Sequence, residues 1–215
     1  MLMGGRGRAV VLCASLLAAI QLFGCADATR YVGVGLNEEA FIIEGVPSIR
    51  QGPELSCGPA CVASVATYWT HQIPPSLREG VAPFQKKDTS ATDLCAAAKT
   101  AGLDAFAFCG TLEDLEVCVR KGRPAIVMAY CGAVGDPAIS LPYYPAIQRL
   151  LCDLWPPKHW TVVIGTIGDE WFVIQDPAAG RYQVRKTRLM SGWKRNDCVM
   201  VLLAPRAPQV SVSGP

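Results

Sequence analysis

The sequence predicts an α+β domain in which N-terminal helices pack on an antiparallel β-sheet that follows them. Three observations carry that prediction. Ala60, Cys61, Val65 and Trp69, with Val62 and Ala66, form an apolar stripe at helical spacing. Two later segments, at Thr89-Ser90-Ala91-Thr92-Asp93 and Thr111-Leu112-Glu113-Asp114, open with helix-capping patterns. Beyond residue 158 apolar, β-branched runs dominate, and Gly168-Asp169 between two of them is a hairpin signal.

The first helix is preceded by Gln51-Gly52-Pro53-Glu54-Leu55-Ser56-Cys57-Gly58-Pro59-Ala60-Cys61. Here a loop delivers a cysteine to the first turn of a helix. Pro59 suits that turn, where its missing N–H leaves no bond unmade. Pro74-Pro75 ends the pattern. Cys57 therefore falls at the N-terminus of a buried helix, where the dipole and free N–H groups favour a thiolate. Gln51 carries an amide that can fold back over the same helix end and donate to an oxyanion. A lone buried cysteine more often packs as a small hydrophobe. The glutamine, the Gly-Pro pair and the helix start together favour a nucleophile.

The other elements follow in order. Phe41-Ile42-Ile43 is the apolar part of a linker or lead-in strand. Ile73 to Ser90 is a Pro- and charge-rich loop. Leu94 to Ala101 is helical, and Gly102 closes it. Leu103 to Cys109 alternates as a strand. The helix opened by Thr111 runs to Lys121, and Gly122 stops it. Pro124 to Tyr130 is a buried strand. Gly132 to Lys158 holds five prolines with Tyr143, Tyr144 and Trp155, and a short helix from Ala146 to Asp153; it reads as a flap or a surface insertion. His159–Ile167 and Glu170–Asp176 form the hairpin, and strands at Arg181–Arg185 and Cys198–Leu203 complete the sheet. Ser211 to Pro215 is a tail.

The chain has 215 residues, enough for one ordinary domain. Lys and Arg number 20 against 18 Asp and Glu, and there is no basic run. Nothing asks for nucleic acid, and no glycine loop for a nucleotide is present. Arg6 and Arg8 precede an uncharged apolar run from Ala9 to Phe23, too short for a comfortable membrane span and suited to a signal peptide. It ends in Leu22-Phe23-Gly24-Cys25, which resembles a bacterial lipobox with Cys25 as the lipidated residue. Ala26-Asp27-Ala28 offers a competing cleavage site that would release a soluble exported chain. The expected organisation is a signal peptide at 1–24, a linker at 25–45, a domain at 46–205 and a disordered tail at 206–215. An exported chain can form disulfides. Cys95, Cys109, Cys118, Cys131, Cys152 and Cys198 allow up to three, with Cys61 left unpaired on the helix stripe.

A cysteine nucleophile needs a base. Of the two histidines, His71 lies 14 residues after Cys57. That separation is about 20 Å along a helix, out of reach. His159 remains. With Gly168 and Asp169 as the loop, Ile167 pairs with Glu170, and counting back sets Thr161 opposite Asp176. His159 and Thr161 share a face, so Asp176 lies diagonal to His159 and can fix its tautomer. As a lone signal, Asp176 before Pro177 is also a common turn former.

The Gln51–Cys61 stretch resembles the signature of cysteine peptidase family 39, bacteriocin-processing peptidases of papain-like fold. That family carries Gln, four residues, then Asp-Cys-Gly-x-Ala-Cys. Gln51 and Cys57-Gly58-Pro59-Ala60-Cys61 match it, with Ser56 in place of the acidic residue, as in the broader peptidase-like members. His159-Trp160-Thr161-Val162-Val163 and Asp176-Pro177 look like the family's later elements. The resemblance covers about residues 46–205. It implies a papain-like peptidase with Cys57, His159 and Asp176 as triad, Gln51 as oxyanion donor, a peptide or protein substrate, and no metal or organic cofactor. The best-known members cut leader peptides after Gly-Gly and are fused to an ABC transporter, for which this sequence shows no ATPase motif. The resemblance implies the activity; it does not imply the substrate. A catalytically silent surface domain that binds peptides is the alternative. A metal site at Cys57, Cys61 and His159 lacks a fourth ligand at recognisable spacing.

Overall fold

The structure, a computed structural model, describes residues 39–52, 56–77, 89–130 and 158–206. The expected signal peptide, Cys25, the flap with its short helix, Cys131, Cys152 and the tail beyond Arg206 lie outside those residues.

In chain order the elements are β1 (Ala40–Ile42), α1 (Cys57–Thr70), a 3-10 turn (Pro75–Leu77), α2 (Ala91–Thr100), β2 (Leu103–Cys109), α3 (Leu112–Arg120), β3 (Ala125–Tyr130), β4 (Lys158–Ile167), β5 (Trp171–Asp176), β6 (Gly180–Arg185), α4 (Lys186–Lys194) and β7 (Val199–Pro205). The α+β class holds, with three helices ahead of the hairpin strands. α1 starts at Cys57 and buries Gly58 to Ala66, nine of its 14 residues. It stops at Thr70, four residues before Pro74, because His71 turns left-handed (φ 59) and its N–H closes on the Thr67 carbonyl. α2 and α3 begin with the capping boxes their sequences announce. Ser90 Oγ accepts from the Asp93 N–H while Asp93 Oδ2 accepts from the Ser90 N–H. Thr111 and Asp114 do the same.

Among the described residues the strands form one seven-stranded sheet, in the order β2-β7-β3-β4-β5-β6 with β1 beside β4, all pairs antiparallel. β3 lies beside Lys158 to Val163 of β4, and β1 continues that edge beside Gly165 to Ile167. β4 is the centre of the arrangement. It is buried from His159 to Ile167, and α1 and α3 both pack against it. Trp193 and Phe172 are the largest fully buried side chains.

Two expectations are corrected. First, α4 is a helix that the sequence reading lacked. Its N-cap is Arg185, with no side-chain capping bond, and Gly192, a poor helix former, lies inside it. Propensity and capping were therefore silent, and only Leu189 and Trp193, four apart and fully buried, mark it. Second, the hairpin turn is three residues long, so Ile167 pairs with Trp171 rather than Glu170. A bulge between Val163 and Gly165 absorbs the extra residue. Past it Val162 pairs with Gln175, the last pair of the ladder, and continuing that register sets Thr161 opposite Asp176. The register at the far end is thus the expected one, reached by two compensating irregularities.

Gly165 sits at that bulge with β1 pressed over it. A Cβ there would lie 2.6 Å from the Phe41 carbonyl oxygen and 3.1 Å from Ile42 Cα. Both are backbone atoms and cannot rotate away. Gly165→Ala is expected to destabilise the fold by about 1–3 kcal/mol, the range for overpacking. A thermal melt of the variant checks this, and protection of residues 40–43 in hydrogen exchange should fall with it.

Candidate active site

Cys57 is the first residue of α1. Its thiol meets the dipole end of a buried helix whose N-cap, Ser56, makes no side-chain capping bond. Burial pushes the thiol up, but four contacts outweigh it: a hydrogen bond with His159, the His159 charge, and the backbone N–H groups of Trp160 and Gly58. The net effect holds Cys57 below the ordinary thiol value. Cys61, one turn on, is fully buried in the core, and burial with the charges of Cys57 and Asp176 drives its thiol far upward. One cysteine of the pair is poised to ionise and the other is not.

β4 brings His159 to the start of α1, and β5 brings Asp176 beside it. His159 Nε2 and Asp176 Oδ1 are 3.0 Å apart, with 6 % and 3 % of each residue exposed. Nε2 is committed to Asp176, which leaves Nδ1 for Cys57. Asp176 is held from every side. Its Oδ1 also accepts from the N–H groups of Ala178 (2.7 Å) and Ala179 (3.1 Å). Its Oδ2 accepts from the Tyr182 hydroxyl at 3.0 Å. Burial raises the carboxyl, while His159 and the two backbone N–H groups lower it by more, so it stays below the ordinary carboxylate value. The turn-former and orienter roles of Asp176 are therefore compatible, since one oxygen serves both the turn and the imidazole.

The third expected partner stands apart. The Gln51 N–H donates to the Pro177 carbonyl at 3.0 Å, so its backbone lies beside the turn after Asp176. Its side chain is exposed and makes no hydrogen bond among the described residues. Cys57, His159 and Asp176 are brought together; the Gln51 amide is not engaged with them. His71 caps the far end of α1, as its spacing required. Cys95, Cys109, Cys118 and Cys198, four of the six cysteines that could bridge, are free thiols. Among the described residues no group of three His, Cys, Asp or Glu side chains is placed to hold a metal.

Three contributors escaped the sequence reading. Trp160 donates its Nε1–H to the Thr89 carbonyl at 2.9 Å, which anchors the residue whose backbone N–H faces Cys57. Gly58 lies beneath it, and a Cβ there would meet Leu94 Cδ2 at 2.9 Å, Trp160 Cδ1 at 3.1 Å and Thr89 Cβ at 3.2 Å. Tyr182 was within reach of inference. It pairs with Ile174, two residues from Asp176, and so shares the face of that carboxylate.

Two outcomes follow from this geometry. The rate of Cys57 alkylation by iodoacetamide should reach half its plateau at a pH below the ordinary thiol value of about 8.5. His159→Ala removes two of the contacts that lower the thiol and leaves burial, so the midpoint should move upward. Gly58→Ala should slow alkylation at neutral pH, because its methyl group crowds Leu94, Trp160 and Thr89 together and strains the packing that holds the Trp160 N–H toward Cys57. A pH–rate profile of the three proteins checks both.

The Peptidase C39 family model matches residues 45–131. That span contains Gln51 and Cys57; His159 and Asp176 lie beyond it. No curated protein matches the chain. Among solved structures, a C39-like peptidase of Bacillus anthracis superposes with a TM-score of 0.53 at 18 % identity, covering 79 % of this chain and 99 % of that one. The peptidase domain of Streptococcus ComA, a bi-functional ABC transporter involved in quorum sensing, gives 0.51 at 23 % identity, covering 74 % and 97 %. A double glycine motif protease from an AMS/PCAT transporter, crystallised with the leader peptide, gives 0.51 at 20 % identity, covering 74 % and 91 %. The chain thus matches the Peptidase C39 family over residues 45–131 and has the papain-like α+β fold of C39 peptidase domains.

Proposed function

We propose that the protein is a cysteine peptidase that hydrolyses peptide bonds through Cys57, His159 and Asp176, with Gln51 as oxyanion donor. One observation carries this reading: a hydrogen-bonded line runs from buried Asp176 through His159 to a thiol at the start of a buried helix. His159 takes the Cys57 proton at Nδ1 and becomes an imidazolium, stabilised by Asp176 at Nε2. The thiolate attacks the scissile carbonyl carbon, and the carbonyl π pair moves to oxygen. The helix-start N–H groups and the Gln51 amide, swung inward from its exposed position, hold that oxyanion. His159 protonates the leaving amine and a thioester remains on Cys57. Water, deprotonated by His159, releases the acid and restores the thiol.

A peptide substrate is supported by the transporter protease that was crystallised with the leader peptide. In this reading the chain is exported and held at the membrane by a lipid on Cys25. Cys25→Ser should then move it from the detergent to the aqueous phase, whereas a mature N-terminus at Thr29 would contradict lipidation. The alternative, a silent peptide-binding domain, is favoured by the exposed Gln51 side chain and by Ser56 at the position before Cys57.

Turnover separates the two. Cys57→Ala and His159→Ala should each abolish hydrolysis and leave the fold intact; wild-type turnover in Cys57→Ala would sink the peptidase reading. Gln51 and Asp176 should fail differently. Gln51→Ala should lower kcat by roughly 100- to 1000-fold, the loss typical of one oxyanion donor. It should keep normal alkylation, which forms no oxyanion. Asp176→Ala should raise the pH at which Cys57 becomes reactive. Measuring kcat beside the alkylation profile tests both roles.

A further inference from the structure

Residues 46–51 belong to no helix or strand, yet they carry Gln51 past the β5–β6 turn along a fixed path. Hydrogen bonds to that hairpin account for the path. The Gln51 N–H donates to the Pro177 carbonyl at 3.0 Å, and Arg50 Nη1 donates to the Ala178 carbonyl at 3.0 Å. Further back, Gln175 Nε2 donates to Ser48 Oγ at 2.8 Å. Arg181 Nε donates to Gln175 Oε1 at 3.2 Å, and Arg181 Nη2 reaches the Val46 carbonyl at 3.4 Å. From the other side, Ser64 Oγ of α1 donates to the Pro47 carbonyl.

Gln175 is the centre of this set. It is 3 % exposed, in a strand whose other buried positions are Phe172, Val173, Ile174 and Asp176. A carboxamide taken out of water is unfavourable unless both of its ends are satisfied. Here the nitrogen end holds Ser48 and the oxygen end holds the arginine that reaches Val46. Gln175 also directly precedes Asp176, so one strand end carries the orienter of the imidazole and the anchor of the Gln51 segment.

We propose that Gln175 is a positioning residue that pins residues 46–51 to the Asp176 hairpin and so sets where Gln51 enters the site. The inference rests on the reading of Gln51 as oxyanion donor, and it gives that exposed amide a fixed point of departure.

The test uses the full chain and Gln175→Met, which keeps the length of the side chain and removes both hydrogen bonds. Hydrogen exchange followed by mass spectrometry reads the pinning without any need for activity. A peptide spanning residues 46–52 should exchange about tenfold faster, the loss of one to two hydrogen bonds, while α1 stays protected. Ser48→Ala, at the exposed end of the same bond, should act in the same direction and stands in if Gln175→Met does not fold. The second arm compares N-acetyl-Phe-glycinal, an aldehyde that forms an oxyanion on Cys57, with iodoacetamide, which does not. Gln175→Met should bind the aldehyde more weakly at an unchanged iodoacetamide rate. In a Gln51→Ala background it should add no further loss.

Unchanged exchange at 46–52 overturns the proposal. So does a double variant whose aldehyde affinity falls by the product of the two single losses. A wild-type Cys57 that takes up neither reagent would instead overturn the peptidase reading, and the exchange arm would still decide whether Gln175 holds the segment.

Discussion

A carboxylate removed from water survives as a charge only if hydrogen bonds and an opposite charge replace its solvent. Asp176 meets that condition with four donors: one imidazole, two backbone N–H groups and one phenol. The rest of the site depends on it. With Oδ1 aimed at Nε2, the ring of His159 has one orientation, and its other nitrogen faces the start of α1. Without that anchor the thiol of Cys57 would feel burial first, which pushes it toward the inert protonated form. Because the Asp176 carboxyl lies below its ordinary value in the fold, its charge contributes stability above the ordinary carboxylate range. That contribution is lost as pH falls through the lowered value.

The sheet delivers this arrangement through its irregularities as much as through its regular ladder. A three-residue turn alone would shift β5 by one position against β4 and turn Asp176 away from His159. The bulge around Ile164 restores the pairing, and Gly165 in the bulge leaves room for β1. On the helix side Gly58 plays the matching part. Its missing side chain lets Trp160 close over the start of α1, so that a strand backbone and a helix backbone both present N–H groups to one sulfur. Stability and reactivity meet in the same contacts here, since the packing that buries Cys57 also supplies the donors that oppose the effect of burial.

How far the sequence was legible follows from which forces act locally. The capping boxes at Ser90 and Thr111 depend on residues three apart, and both helices start where those residues say. Cys57 at the first turn of α1 was legible for the same reason. His159 and Asp176 required a register, and counting from Gly168-Asp169 reached the right pairing although the turn itself was misjudged. α4 was missed because its helix is held by Leu189 and Trp193 in the core, with no cap and an internal glycine. The Gly58–Trp160–Thr89 contact and the Gln175–Ser48 bond join residues 31 or more positions apart in sequence, so no local pattern announces them. Gln51 stands out by its spacing from Cys57, and its backbone lies beside the turn after Asp176, while its side chain is exposed.

The central claim is that His159, aimed by Asp176, lowers the pH at which Cys57 ionises. The difference in thiolate ultraviolet absorbance between the wild type and Cys57→Ala, followed against pH, reads that ionisation directly, because the other cysteines cancel. Its midpoint should lie below the ordinary thiol value and move upward in Asp176→Ala. A midpoint at or above the ordinary value, unmoved by Asp176→Ala, would contradict the account and the chemistry built on it.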